Sequence, residues 1–446
     1  MSSVFLPSDI FHVVFGLLSN EAEGPDVQTL SACCLASSEI GNICEAYLYA
    51  CIHIVCGEGH ASLDRKPGHI PQCAITVRQL KATLSRRPYI NRFIRTLGFY
   101  WRRPNAAARQ ELCEFMERIQ PHNVQTLYIS SSYIVSWNQV DVPVQTFFYS
   151  LLESPNLRRL EVSNLDDFPL HIAFQPQPQI RSLGMSMLLL ANVPGVSTGD
   201  YILPWMTKSI TLESLFLGGL ATDLMTDTLI RWRRADGEPL FDFSAISKLS
   251  VTLSFVYFDR DLQLTHGIIT QSKNLRYISL HGTRIFRFKQ ALTLTGVKVQ
   301  TGMISEMLSG ALQQTKNTLE VLALIMYPNA TSPLGNLPEF LSFDGCTFAS
   351  LRCIKIQLYV YRNIEGELPN DGAWSRLADV LADKEKFPML EKVEIWMKFN
   401  GWPEEPRDMI DIFLSLGHSM VEGQFRDRGV VFKADYFTFQ SYKRLI

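Results

Sequence analysis

Little in this chain of 446 residues points to chemistry, and what is missing narrows the field first. No charge of one sign prevails: 42 Lys and Arg stand against 44 Asp and Glu, a formal net of −2. Without a global basic field, no nucleic acid is expected as a partner. The longest apolar run, near Met185 to Val196, falls far short of the roughly 20 residues a membrane helix needs, so no membrane is expected either. The opening MSSVFLPSDIF has no positive flank and puts Asp9 inside its apolar stretch, unlike a secretory signal. The nine cysteines are few for this length and odd in number, which suits reduced thiols in the cytoplasm and/or nucleus. The glycosylation acceptor Asn329-Ala330-Thr331 is accordingly read as idle. Catalytic signatures are missing too. There is no Walker loop, no His-Glu-x-x-His, no Gly-x-Ser-x-Gly and no Cys-x-x-Cys. The acids are scattered, with no pair suited to acid–base work. The expectation is a non-catalytic protein with no cofactor and no metal.

What the chain does have is repetition. Ten phrases share one shape: apolar, two residues, apolar, one residue, apolar. They start at Ile94, Val124, Leu157, Ile180, Leu212, Ile246, Leu275, Leu319, Leu351 and Leu390. Alternation within each phrase points two apolar side chains the same way from a short strand. A recurring phrase means a recurring structural unit, and arrays of such units offer broad surfaces to other proteins. The spacing is uneven: Leu160 to Leu183 is 23 residues, whereas Ile278 to Leu322 is 44. Leucine-rich repeats run about 20–29 residues. The pattern therefore predicts an α/β fold in which 89–446 form an irregular, leucine-rich-repeat-like right-handed solenoid, its longest unit holding an insertion around Phe286 to Thr301. A parallel sheet flanked by helices in some other α/β fold would show the same alternation. Between the phrases, helices are expected over Ala106 to Ile119, Gly302 to Gln314, Ala373 to Lys384 and Met409 to Leu416.

The first 54 residues read differently. Ile10, Val14, Leu17 and Leu18 recur at helical spacing after Pro7, which suits an early helical position. Gly24 and Pro25 break the pattern. A second helix is expected from Val27 with Asp26 as its cap, placing Leu30, Cys34 and Leu35 on one face. A third covers about Ile40 to Tyr49, followed by the β-prone Cys51 to Val55. The connecting segment 55–88 is loop-like to about Pro71, with a helix near Val77 to Leu84. Three short helices in ~50 residues cannot bury all these apolar side chains alone, so some must meet the array or another protein.

LPSDIFHVVFGLL, Leu6 to Leu18, resembles the opening of an F-box: Leu-Pro, an acid two positions on, then an amphipathic helix. Thr29 to Ile54 (TLSACCLASSEIGNICEAYLYACIHI) looks like the rest of that motif as fungal F-box proteins write it. In those proteins a phrase like LSRRPYINRFIRTLGFY, Leu84 to Tyr100, leads into leucine-rich repeats. Ser38 and Ile40 stand where the motif usually has a basic and an aromatic residue, and the loop Ser19 to Asp26 is longer and more acidic than usual. The resemblance implies a substrate-recognition subunit of a Skp–cullin–F-box ubiquitin ligase. Leu6, Pro7, Ile10, Val14, Leu18, Leu30 and Leu35 would face the Skp-type adaptor, and a cullin would be reached through it. The repeats would hold an unknown protein target. The alternative is a non-catalytic scaffold whose helices only cap the array.

Two residue clusters remain. No acid lies between Asp64 and Glu111, a stretch in which Arg86, Arg87, Arg92, Arg102 and Arg103 are interleaved with Tyr89, Phe93, Tyr100 and Trp101. Arg forks there would suit an acidic or phosphorylated target segment, unless acids elsewhere in space balance them. Cys51, His53, Cys56, His60, His69 and Cys73 suggest a zinc site, but the spacings match no short zinc pattern, and alternation turns Cys56 away from Cys51 and His53.

Overall fold

The computed structural model describes residues 12–15, 18, 27–57, 75–102, 104–116, 119, 123–174, 179–186, 201–218, 229, 232–253, 258–282, 308, 310–326, 337–342, 346–361, 373–400, 425 and 429–438. The chain is mixed α/β and divides into two compact units. One comprises Met1–Ile210 with Arg231–Leu240, the other Thr211–Ile230 with Phe241–Ile446.

Every one of the ten phrases forms a strand. In the first unit, helices α1 (Val27–Cys34) and α2 (Ser38–Leu48) precede strand β1 (Cys51–Cys56). A two-residue edge strand β2 (Ile75–Thr76) leads into helix α3 (Val77–Arg86). Then come β3 (Thr96–Trp101), helix α4 (Ala106–Met116), β4 (Thr126–Ser136), helix α5 (Val142–Leu152), β5 (Arg159–Asp166) and β6 (Ser182–Ser186). These strands lie side by side in the order β2-β1-β3-β4-β5-β6, all parallel. The second unit repeats the scheme with β7 (Ser214–Gly218), β8 (Lys248–Leu253), β9 (Tyr277–Gly282), β10 (Val321–Met326), β11 (Cys353–Tyr361), β12 (Lys392–Asn400) and β13 (Val431–Thr438). Their spatial order is again their chain order, and again every pairing is parallel. Helices α6 (Phe258–Gln271), α7 (Leu337–Ser342) and α8 (Ala373–Leu381) lie between its strands in the chain. The expected helices at Gly302 to Gln314 and Met409 to Leu416, and the insertion around Phe286 to Thr301, fall mainly or wholly outside the described residues.

Register explains why the phrases recur. Leu97, Leu127, Leu160 and Leu183 are direct neighbours across the first unit's strands. Leu215, Leu249, Ile278, Leu322, Ile354 and Val393 are neighbours across the second's. All are buried, as are the leading apolar residues from Ile94 to Leu390. Each such side chain taken from water stabilises by about 1.5–3 kcal/mol, so a one-residue slip in any strand would expose a whole row. The two residues inside each phrase also have a task. The carbonyl of the first accepts two backbone N–H groups from the next phrase. Arg95, Gln125 and Arg158 do this in one unit, and Glu213, Ser247, Arg276, Glu320 and Arg352 in the other, at 2.7–3.3 Å.

Local chemistry sets the ends of the helices. Thr76 and Gln79 form a reciprocal capping box at the start of α3. Asn105 Oδ1 accepts from Ala108 N at 2.8 Å ahead of α4. Ser37 Oγ accepts from Ile40 N at 3.1 Å and caps α2. Aromatic packing fixes α5 to the sheet: Phe148 meets Phe99 edge-on, centroids 5.0 Å apart. At Gly57, φ is +126° and a side chain would run into the Arg102 carbonyl, so glycine ends β1.

Candidate functional site

The N-terminal helices build a small core of their own. Phe15, Leu30 and Cys44 are buried, with Leu18, Cys33, Cys34, Ile40, Ile43, Tyr47 and Leu48 packed around them. Tyr47 Oη donates to the His12 carbonyl at 3.1 Å and ties residues 12–15 to α2. Outside this core, apolar side chains stand in water: Val13 is 64%, Val14 44% and Leu35 89% exposed. The seven adaptor candidates therefore separate. Val14 and Leu35 are accessible, and Leu18 is half-buried. Leu30 is fully buried, which makes it a core residue and corrects its reading as a contact. It occupies the inner side of α1, and Leu35 lies beyond the helix end. Leu6, Pro7 and Ile10 lie outside the described residues. Val13 was not singled out from the sequence, because the helical-spacing rule selects its neighbour Val14.

A polar joint fastens this module to the chain that follows. Glu45 on α2 is nearly buried and accepts from Arg87 Nη1 and, at 2.7 Å, from Tyr89 Oη. The hydrogen bond to Glu45 raises the Tyr89 phenol above its usual range. Arg87 is thus committed within the chain.

The other basic residues of the acid-free stretch are largely balanced from a distance. Arg78 pairs with Glu111 at 3.4 Å, Lys81 with Glu114 at 2.8 Å and Arg109 with Asp141 at 2.8 Å. Arg86 and Arg92 are exposed, and Arg92 lies 4.7 Å above the Phe93 ring and 5.7 Å above Tyr89. Arg102 is half-buried and donates its backbone N–H to the Cys56 carbonyl, while Arg103 is outside the described residues. The five candidates do not converge on one described pocket; Arg86 and Arg92 with Tyr89 are what remains as surface.

Of the Cys/His cluster, the structure describes Cys51, His53 and Cys56 on β1. Among the described residues, no group of three His, Cys, Asp or Glu side chains is placed to hold a metal ion. His53 is 3% exposed, with Nε2 3.1 Å from Cys51 Sγ and Nδ1 3.3 Å from Tyr100 Oη. Its ring lies over Gly98 on the neighbouring strand, where a Cβ would stand 2.2 Å from Nδ1. Burial lowers the His53 pKa to about 4, so the ring is neutral. Burial likewise pushes the Cys44 and Cys56 thiols up to about 12, which leaves both protonated. His60, His69 and Cys73 lie outside the described residues. No described helix is long and apolar enough to cross a membrane.

No protein-family model matches the chain, and no curated protein matches it.

Proposed function

We propose that the chain is the substrate-recognition subunit of a Skp–cullin–F-box-type ubiquitin ligase, acting in the cytoplasm and/or nucleus. In this reading the N-terminal helices are an F-box-like module that docks on a Skp-type adaptor and through it on a cullin. The strands belong to an irregular leucine-rich-repeat solenoid that holds a target protein. The chain itself performs no chemistry; it supplies proximity to a charged enzyme carried by its partners.

The observation that carries the reading is the set of uncovered apolar side chains, Val13, Val14 and Leu35, beside a small helical core of Phe15, Leu30 and Cys44. Each would stabilise a complex by about 1.5–3 kcal/mol on burial, enough to anchor an interface. A second reading, a scaffold whose helices merely cap the array, has one observation in its favour: the Glu45–Arg87–Tyr89 joint, which fixes the module to the chain behind it.

Co-expression with a Skp-type adaptor separates the two. The receptor co-purifies with it in a one-to-one complex, and Val14→Asp with Leu35→Asp abolishes capture while circular dichroism stays unchanged. A cap ignores the adaptor, and the paired substitutions then change nothing.

A further inference from the structure

The two faces of the second unit's sheet differ. One carries the apolar rows described above. On the other, across β11 to β13, register places Lys355, Lys392, Lys398 and Lys433 with two carboxylate residues, Glu394 and Asp435, so lysines are in the majority. Register sets Lys355 of β11 beside Glu394 of β12 and Lys433 of β13, and, two residues on, Gln357 beside Trp396 and Asp435. Tyr359 and Lys398 form the next row.

Glu394 is 5% exposed and is already neutralised: Lys392 Nζ is 2.5 Å away and Lys355 Nζ 3.2 Å away. Burial alone would raise its carboxyl, but the hydrogen bonds from Lys392 and Lys355 outweigh that and hold it below the usual range. One carboxylate facing two ammonium groups leaves this cluster with positive charge over. Lys398 adds more. It is half-buried, lies 5.2 Å from the centre of the Tyr359 ring, and is paired with no carboxylate among the described residues. Lys355 similarly lies 5.8 Å from the Trp396 ring. Partial dehydration lowers the Lys398 pKa, so the folded chain bears a strain that an incoming anion would relieve.

We propose that this lysine–aromatic face, centred on Lys398 and Trp396, is a docking site for an Asp/Glu-rich extended segment of a partner protein. The inference rests on the receptor reading in one respect: it names the chemistry of the target the array holds. Charge complementarity selects the occupant. An anionic side chain meets Lys398, while the rings beneath give its apolar neighbours a surface. The cations of these rows are lysines, point charges suited to single carboxylates, and not the arginine forks that grip phosphate in two-point fashion.

The test uses the full-length chain alone and fluorescence anisotropy of a dye-labelled peptide rich in Asp and Glu with one Phe. A Lys-rich peptide of equal length, the same peptide with phosphoserine replacing each acid, and a single-stranded oligonucleotide are the competitors. The acidic peptide should bind, and binding should weaken as salt is raised. Lys398→Glu should weaken it about tenfold and Lys398→Gln about threefold, the neutral variant guarding against a folding defect. Lys273→Glu, exposed on the turn before β9, should leave it unchanged. No binding of the acidic peptide, an affinity indifferent to both Lys398 variants, or stronger competition by the phosphopeptide or oligonucleotide overturns the proposal. Because no adaptor is present, peptide binding without adaptor capture would remove the receptor reading and keep this one. Adaptor capture without peptide binding would do the reverse.

Discussion

The strands and the helices that precede them treat apolar side chains in opposite ways. Along β3 to β6, Leu97, Leu127, Leu160 and Leu183 repeat one buried position, each supported by an identical neighbour. The N-terminal module buries Phe15, Leu30 and Cys44 and leaves Leu35, Val13 and Val14 in water. A short helical segment has too little interior to cover everything it carries, whereas a ladder closes its core by repetition. Apolar residues are thus structural in one region and surplus in the other.

Substitution should expose that contrast most sharply in the core. Phe99 is fully buried against Phe148, so Phe99→Ala should destabilise by about 3–5 kcal/mol, read from the urea midpoint. Leu35→Ala should change it by less than about 0.5 kcal/mol. Equal shifts for the two variants would erase the distinction.

Acid should act next, and on the strands. The unfolded His53 ring titrates near its ordinary 6.5, the folded one at about 4. Between those values the unfolded chain binds a proton that the folded chain refuses. The stabilisation is therefore complete above about pH 6.5 and is lost as pH falls toward 4, by roughly 3 kcal/mol. Burial lowers the His281 pKa to about 4 as well, so the second unit should show the same sign. Unfolding at pH 7 and pH 5 measures it. His53→Gln should flatten the dependence in the first unit, and an unaltered slope would show that His53 is not the group responsible.

Much of this division was legible beforehand, for a physical reason. The apolar phrases name the buried side of every strand because two residues of each must point inward, and all ten became strands in register. The β-prone Cys51 to Val55 was visible likewise, within the strand Cys51–Cys56. β13 was not: its Val431–Thr438 replaces the repeating leucines with Phe432 and Ala434, so the pattern has nothing to match. Residues on the open face were hidden for a related reason. Lys355, Trp396 and Lys398 sit between the leucine-like positions, where no periodicity constrains them, and only register brings them together. In the helical module, spacing selected Val14 and Leu35 along with Leu30, since amphipathic spacing finds a face without saying whether the chain itself covers it. The acid-free stretch left its balance open because Glu45, Glu111, Glu114 and Asp141, which pair with its basic residues, lie outside it in the sequence.

The joint between the two regions offers a smaller effect. Glu45→Gln keeps an acceptor for Tyr89 and Arg87 but removes the charge that orders both. Since Arg87 is half exposed, the expected loss is only about 1 kcal/mol. The Tyr89 phenol should then ionise at lower pH, a shift readable by ultraviolet titration that a purely packing role for Glu45 would not produce.

The smallest effect on stability should be the most telling for function. Leu35 is 89% exposed beyond the end of α1, so Leu35→Asp removes nothing the folded chain uses, and its unfolding midpoint should match the parent's within about 0.5 kcal/mol. If the surplus apolar surface exists for a partner, the same change introduces a charge where a complex must be dry, and adaptor capture should fall at least tenfold. Leu30→Asp should lose capture only by unfolding the module, because Leu30 lies inside its core. Loss of capture in both variants with loss of fold in only one would separate contact from scaffold between α1 and the turn that follows it; a Leu35→Asp chain that is captured as well as its parent would leave the exposed side chains without a role.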